Sequence, residues 1–183
     1  MLAWLSLLIT QSVLVGRGSR ALHMRLGWAS AAMLPAIVIL ASLTCFAALR
    51  AGIFPPFFTP AYFLALIHVS VVLFAALVAT AISRRGQKDW HKRLMIGSTI
   101  LLMEPALGRV LPMPFIMPWG EWLSMVIQLG VFALIVRHDR KELGFVHPAT
   151  LAVGLAIVLS HVVVELLAIT PAWIAFTARI IAA

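Results

Sequence analysis

Long apolar stretches separated by short polar or proline-rich segments dominate this chain. A membrane-spanning helix needs about 20 mainly apolar residues to cross a hydrocarbon core about 30 Å thick. The stretches that approach this requirement are residues 2–16, 26–49, 61–82, 94–111, 121–136 and 150–169. The pattern predicts a single all-α domain over residues 1–183, a polytopic transmembrane helical bundle of about six spans. Residues 172–183 are too short to span and are expected to form an interfacial tail.

The composition supports a membrane protein and excludes several other classes. Hydrophobic residues make up 63% of the chain and charged residues 11%, which excludes an ordinary globular surface. The single cysteine, Cys45, excludes a disulfide framework. No cationic segment precedes the short first stretch, which argues against a cleavable signal peptide. We expect either that this helix tilts little and thins the bilayer, or that residues upstream of Met1 complete it.

Basic residues are distributed very unequally between the two sides of the predicted membrane. Eleven Lys and Arg residues fall in or beside the segments after the first, third and fifth stretches, against three toward the other side. Cytoplasmic loops carry an excess of Lys and Arg. We therefore expect a multi-pass protein of the bacterial cytoplasmic membrane, with both termini outside the cytoplasm. The charge is explained by membrane topology, so no nucleic-acid partner is expected.

A short motif occurs twice, about 68 residues apart. Arg17-Gly18 corresponds to Arg85-Gly86, and His23-x-Arg25-Leu26 corresponds to His91-x-Arg93-Leu94. Each copy joins a cationic loop to an apolar helix. The match indicates either a parallel repeat of helix pairs or two loops made alike by the positive-inside rule. Descent from one unit predicts that the two helix pairs superpose, with His23 on His91 and Arg25 on Arg93.

Three short segments of the chain, which we call boxes, resemble segments of a group of bacterial polytopic membrane proteins. The matching segments are His23-Met24-Arg25-Leu26-Gly27, His91-Lys92-Arg93-Leu94-Met95 followed by Arg109, and Val146-His147-Pro148-Ala149-Thr150. The resemblance implies an all-helical membrane bundle and no established activity. The second box is also similar to one in small membrane proteins that assist assembly of haem-copper oxidases. Relatives usually carry more chain before the first box, and His68, His161 and Glu165 lie outside the family pattern.

Five ionisable residues lie within the predicted spans and are the first candidates for a site. They are Glu104, Arg109, His161, Glu165 and His68. Counting helix rise from the cytoplasmic ends, or down from the outer end for His68, places all five between about 16 and about 25 Å deep. An unpaired charge at such a depth costs at least about 2.5 to 3.5 kcal/mol.

Three interpretations of this layer remain open. The first is an interhelical hydrogen-bond network that only fixes packing. The second is a b-type haem with His68 and His161 as axial ligands. The third is a divalent-metal or proton-relay site with His161 and Glu165 on one edge and Glu104 or His68 on the other.

A specific arrangement of the layer follows from helix geometry. Glu104 and Arg109 are about 140° from facing each other on one helix, so they are expected to use different partners. His161 and Glu165 are four residues apart and share a helix face. We therefore expect Arg109 to pair with Glu165, and Glu104 to approach His161 or His68.

The basic boxes suggest a second set of interactions at the membrane surface. Their residues are His23, Arg25, His91, Lys92 and Arg93. Such a cluster attracts anionic lipid headgroups, although basic flanks also arise from topology alone. We expect His147 to begin a helix at Pro148, and His138 and Asp139 to lie in a solvated loop.

The sequence contains no local catalytic motif, and its loops are short. The function expected from it is a membrane binding or accessory subunit, assembled with other membrane protein subunits, rather than an enzyme. The alternatives are a haem- or metal-binding redox protein and a small transporter or proton-relay protein.

Overall fold

The structure, a computed structural model, describes residues 2–182. This part of the chain forms nine helices and contains no strand. The helices are α1 (Leu2–Gly16), α2 (Arg20–Ala51), α3 (Pro60–Ser83), α4 (Lys88–Leu101), α5 (Glu104–Val110), α6 (Met113–Ile116), α7 (Gly120–Leu143), α8 (Pro148–Ala168) and α9 (Pro171–Ala182). The all-α expectation is therefore confirmed.

Local sequence signals account for several helix ends. Thr59 caps α3, because its side chain accepts a hydrogen bond of 3.1 Å from the backbone N–H of Tyr62. His147 caps α8 in the same way through Nδ1, and Pro148 follows in the first turn, as expected. α7 ends at Leu143, and the next residue, Gly144, caps it with a φ of 78° that suits a residue without a Cβ.

Four helices are long and apolar enough to cross a membrane: α2, α3, α7 and α8. The molecule is thus an integral membrane protein by length and composition of its helices. The count of six spans is not confirmed. α1 covers the predicted residues 2–16, but its 15 residues leave it among the shorter apolar helices. The predicted span 94–111 is divided into α4 and α5.

The division of the fourth predicted span has a physical cause at Pro105. A proline inside a helix lacks the N–H donor and clashes with the carbonyl four residues earlier. For Pro105 that carbonyl belongs to Leu101, where α4 ends. The chain makes a turn at Leu102 and Met103 and resumes helical structure at Glu104.

α3 lies at the centre of the bundle and packs against α2, α4 and α8. The largest core cluster joins Leu77 and Ala81 of α3 to Leu94 of α4 and to Val153 and Ile157 of α8. α1 covers another side of α3, where Trp4 stacks edge-on against Phe74.

The bundle has two distinct ends. At one end, His23 lies beside His91, Trp90 lies beside His147, and Arg85 lies over Trp28. This basic end carries the cationic loops that follow α1, α3 and α7. At the opposite end, α9 packs across α2 and α3. Its position at the membrane interface stays a prediction.

Helix starts agree with the 68-residue repeat, whereas helix lengths do not. α2 begins at Arg20 and α4 at Lys88, and the rings of His23 and His91 are 6.3 Å apart. α2 continues for 32 residues through Pro35, while α4 stops after 14. Common descent of the two helix pairs stays a prediction.

Candidate cation-binding site

Three ionisable side chains from three helices meet inside the bundle. Glu104 is the first residue of α5, Glu121 lies in the first turn of α7, and His161 lies on α8. One donor atom from each lies within 4.8 Å of the others. All three are buried, with exposed fractions of 7%, 4% and 2%. We refer to these three residues as the carboxylate–histidine cluster.

Direct hydrogen bonds orient the cluster. The Nδ1 atom of His161 and the Oε1 atom of Glu121 are 2.6 Å apart. The side-chain amide of Gln128, about two turns beyond Glu121 on α7, donates a hydrogen bond of 2.9 Å to Oε2 of Glu104. Both contacts join different helices, so the cluster fixes α5, α7 and α8 relative to one another.

Several polar atoms at the cluster are buried without a hydrogen-bond partner. They are Oε2 of Glu121, Nε2 of His161, Oγ of Ser124 and Oε1 of Gln128. Their side chains are each at most 4% exposed. Most buried polar groups in proteins are hydrogen-bonded, and each exception calls for an explanation. The unpaired lone pairs here leave capacity for a bound species.

No Lys or Arg within residues 2–182 forms an ion pair with the cluster. The predicted pair of Arg109 and Glu165 is not formed. Arg109 is exposed, and its guanidinium donates a hydrogen bond to the carbonyl of Pro105. Arg109 lies in the last turn of α5, toward the end of the bundle opposite the basic one, where a long side chain can reach water.

Glu104 does approach His161, as the sequence analysis expected, whereas Glu165 stays outside the cluster. Glu165 is half-buried one helical turn beyond His161 and forms no side-chain hydrogen bond or ion pair with residues 2–182. The partner of His161 is instead Glu121.

The structure does not support two axial haem ligands at His68 and His161. His68 donates a hydrogen bond of 2.9 Å from Nδ1 to the carbonyl of Leu64, and its ring stacks on Phe46 of α2. His161 contacts Glu121 of α7. The two imidazoles therefore lie in different helix interfaces.

α7 contributes side chains that are not among the five candidates from the sequence. Glu121 is the first residue of the predicted span 121–136, and Ser124 and Gln128 lie within it. A signal was nevertheless present, because residues 121, 124 and 128 are three and four apart and so lie on one helix face. Three polar side chains on one face of an apolar helix indicate a buried polar contact.

A second polar cluster, the Arg93–Asp139 cluster, holds the basic end together. Arg93 is only 2% exposed, and its Nε and Nη2 atoms lie 2.7 and 2.5 Å from Oδ1 of Asp139. The Asp139 Oδ2 atom accepts hydrogen bonds from the Thr150 hydroxyl and from the backbone N–H of His147. Two expectations were wrong: Arg93 is a buried structural residue rather than a lipid contact, and Asp139 is buried rather than solvated.

Asp139 lies beyond the apolar part of α7, which ends at Val136. Burial alone would raise the pKa of its carboxyl group, but the hydrogen bonds from Arg93, Thr150 and the His147 backbone outweigh burial and hold the pKa at about 2. Asp139 is therefore ionised at neutral pH, and its contact with Arg93 is an ion pair.

The other residues of the basic boxes are more accessible. Arg25 and Lys92 are exposed, and Lys92 forms a surface ion pair of 3.0 Å with Asp89. His91 is half-buried, with Nδ1 2.8 Å from the carbonyl of Ala81. His23 lies edge-on to it. These residues leave a cationic surface at the basic end.

No protein-family model, no curated protein and no solved structure matches this chain.

Proposed function

We propose that this protein binds a cation, either a proton or a metal ion, at the carboxylate–histidine cluster inside the membrane. One observation carries the proposal: two carboxylates and an imidazole are buried together, and no Lys or Arg among residues 2–182 forms an ion pair with them. Buried charges in proteins are paired or coordinate metals, or else they are neutralised by a proton.

A buried cluster of unneutralised charges costs more free energy inside a membrane than in water. A single charged side chain at the bilayer centre costs at least about 2.5 to 3.5 kcal/mol, and two carboxylates close together repel each other as well. The hydrogen bond from Gln128 to Glu104 is a neutral contact and removes no charge. A bound cation removes the net charge, so the empty, fully ionised cluster is the least stable state.

The position of the cluster favours exchange with the side opposite the basic end. His161 lies 11 residues, about 16 Å, along α8 from Thr150 at the basic end. Glu121 lies in the first turn of α7, next to the proline-rich segment that contains α6. Chains of carboxylate and His side chains are typical of proton pathways in membrane proteins.

A transporter or relay thus fits the cluster better than a purely structural network does. A purely structural network would satisfy its own polar atoms, whereas this one leaves four buried polar atoms unpaired. The role as an accessory subunit of a larger complex, and the contacts with anionic lipid and other subunits, stay predictions from the sequence.

Infrared spectroscopy of the purified protein in nanodiscs tests the proposal. With metal ions chelated, we expect the carbonyl band of a protonated buried carboxylic acid at neutral pH. Glu104→Gln or Glu121→Gln should remove or shift this band. Glu165→Gln is the control, since Glu165 lies on α8 one turn from His161 but outside the cluster. Absence of the band in metal-free protein, together with absence of any bound metal, would refute the proposal.

A further inference from the structure

We infer that the cation bound at the carboxylate–histidine cluster is a divalent first-row transition metal ion of the Zn²⁺ type. This inference rests on the proposed function and makes it specific, because a site that holds only a proton would satisfy the proposed function as well.

The donor set selects the class of metal. Glu104, Glu121 and His161 offer two carboxylates and one imidazole. Imidazole suits Zn²⁺ and its first-row neighbours, whereas Mg²⁺ and Ca²⁺ prefer sites made only of oxygen. The buried thiol of Cys45 packs with Leu49 and Leu64 in a separate cluster, so the one cysteine of the chain is not a donor to the site.

The geometry is close to that of a metal site. Zn²⁺ binds nitrogen and oxygen donors at about 2.0 to 2.2 Å, which places tetrahedral donors roughly 3.4 Å apart. Donors that lie within 4.8 Å of one another need to move inward by about 1 Å to reach this spacing. Side-chain rotation of the two glutamates supplies that movement without a shift of the helices.

Charge balance favours a divalent ion. Glu104 and Glu121 together carry two negative charges when ionised, and His161 is a metal ligand in its neutral form. One divalent ion therefore gives a site with no net charge. A monovalent ion would leave one negative charge buried in a region of low dielectric constant.

The surroundings resemble the outer shell of a metal site. Gln128 donates its amide to Glu104 and would orient that ligand. The unpaired Oγ of Ser124 and Oε1 of Gln128 can accept hydrogen bonds from a water molecule on the metal. Three protein ligands leave a fourth position open, which is the arrangement of a site that exchanges a ligand rather than of a closed structural site.

Metal binding to protein in nanodiscs tests the inference. After equilibrium dialysis against Zn²⁺ with a large excess of Mg²⁺, we expect one Zn²⁺ per chain. Glu104→Gln, Glu121→Gln and His161→Gln should each weaken Zn²⁺ binding at least about tenfold. The matched controls are Glu165→Gln and His68→Gln, which should bind Zn²⁺ as the unmodified protein does. A further control, His23→Gln with His91→Gln, removes the exposed pair of imidazoles at the basic end.

X-ray absorption at the zinc edge of the unmodified protein gives a second test that does not depend on the folding of a variant. We expect a shell of nitrogen and oxygen at about 2.0 to 2.2 Å with one imidazole. A sulfur ligand, two or more imidazoles, or Zn²⁺ lost only in the His23 and His91 variant would overturn the inference. No Zn²⁺ binding, with the protonated carboxyl band present, would refute the metal and leave the proposed function standing. Absence of both would refute both.

Discussion

Gly97 occupies a point where α4 and α8 are in very close contact. A Cβ atom at this position would overlap with the side chain of Val153. Small residues allow membrane helices to approach closely. Gly97→Ala should therefore force α4 away from α8 and lower the free energy of unfolding by about 1 to 3 kcal/mol, the usual effect of overpacking. Denaturant unfolding in detergent micelles measures this change.

Gly130→Ala is the control for Gly97→Ala. Gly130 is also helical, but a Cβ there has no neighbour within 4 Å. The control should be neutral or slightly stabilising, because Ala is the better helix former. Equal destabilisation by the two substitutions would show that the close contact with Val153 is absent.

The Arg93–Asp139 cluster gives a second prediction at the scale of single residues. Asp139→Ala would leave the guanidinium of Arg93 buried with only the exposed Asp89 as partner. Losing one member of a buried ion pair costs about 3 to 5 kcal/mol, so we expect a large drop in unfolding free energy. A thermal unfolding scan in detergent compares this variant with Glu142→Ala, an exposed control on the same turn of α7.

A double substitution shows whether the loss of stability comes from an unpaired buried charge. Arg93→Met combined with Asp139→Ala removes both charges and should recover part of the lost stability, since an apolar pair avoids the desolvation penalty. If Asp139→Ala destabilises no more than Glu142→Ala, the buried ion pair does not exist in the folded protein.

Isolation in an apolar stretch correctly predicts burial for Glu104 and His161 but not for Arg109, which is exposed. Glu104 and His161 stand alone among apolar residues, and both prove to be buried together. Asp139 stands between His138 and Arg140, which predicts a solvated position. In the structure it is buried and contacts Arg93 and Thr150. Whether a residue at a helix end is buried depends on which face of the helix packs against a neighbouring helix. This tertiary contact is not visible in the local sequence.

At the scale of helices, apolar length predicted most of the architecture. Four of the predicted spans match α2, α3, α7 and α8, with ends that differ by a few residues where polar turns remain helical. The exception is the break between α4 and α5. Pro105 was visible in the sequence, yet Pro35 lies inside α2 without ending it. Whether a proline divides a membrane helix depends on the neighbours that satisfy the freed carbonyl groups.

α9 supplies a prediction at the same scale. Trp173 donates from its indole N–H to the carbonyl of Ala61, 2.9 Å away, and Arg50 donates to the carbonyl of Ile180. Trp173→Ala removes the first contact and its packing, so amides in residues 172–182 should exchange faster with deuterium. Ile174→Ala, whose side chain is exposed on the same helix, is the control and should change exchange little. Unaltered exchange in the Trp173 variant would mean that the indole does not hold α9.

At the scale of the whole molecule, the two polar clusters share α7 and α8 and lie at different heights along them. The Arg93–Asp139 cluster ties α4, α7 and α8 together at the basic end. The carboxylate–histidine cluster joins α5, α7 and α8 further along. In the first cluster the Arg93 guanidinium is paired with the carboxylates of Asp139 and Asp89. In the second, no Lys or Arg of residues 2–182 pairs with the two carboxylates. This difference is the basis of the proposal that the second cluster, rather than the first, binds a ligand.

The direction of each helix gives the final prediction, which concerns membrane topology. Arg93, near the start of α4, contacts Asp139, near the end of α7, so the chain must reach the opposite end of the bundle between them. α4 and α5 together therefore cross the bundle despite their break. α8 then begins at the basic end, where Thr150 contacts Asp139, and ends beside α9 at the other.

The positive-inside rule predicts that the basic end faces the cytoplasm. A reporter active only in the cytoplasm should thus be active when fused after Arg85 or Arg140 and inactive when fused at the C-terminus. A reporter active only outside the cytoplasm should give the reverse result at all three sites, which controls for poor expression of any one fusion. A C-terminal fusion that reports from the same side as the Arg85 fusion would contradict this topology, because the chain from Arg85 to the C-terminus would then cross the membrane an even number of times. The Arg93–Asp139 contact accounts for two crossings, by α4 with α5 and by α7, and α8 adds the third.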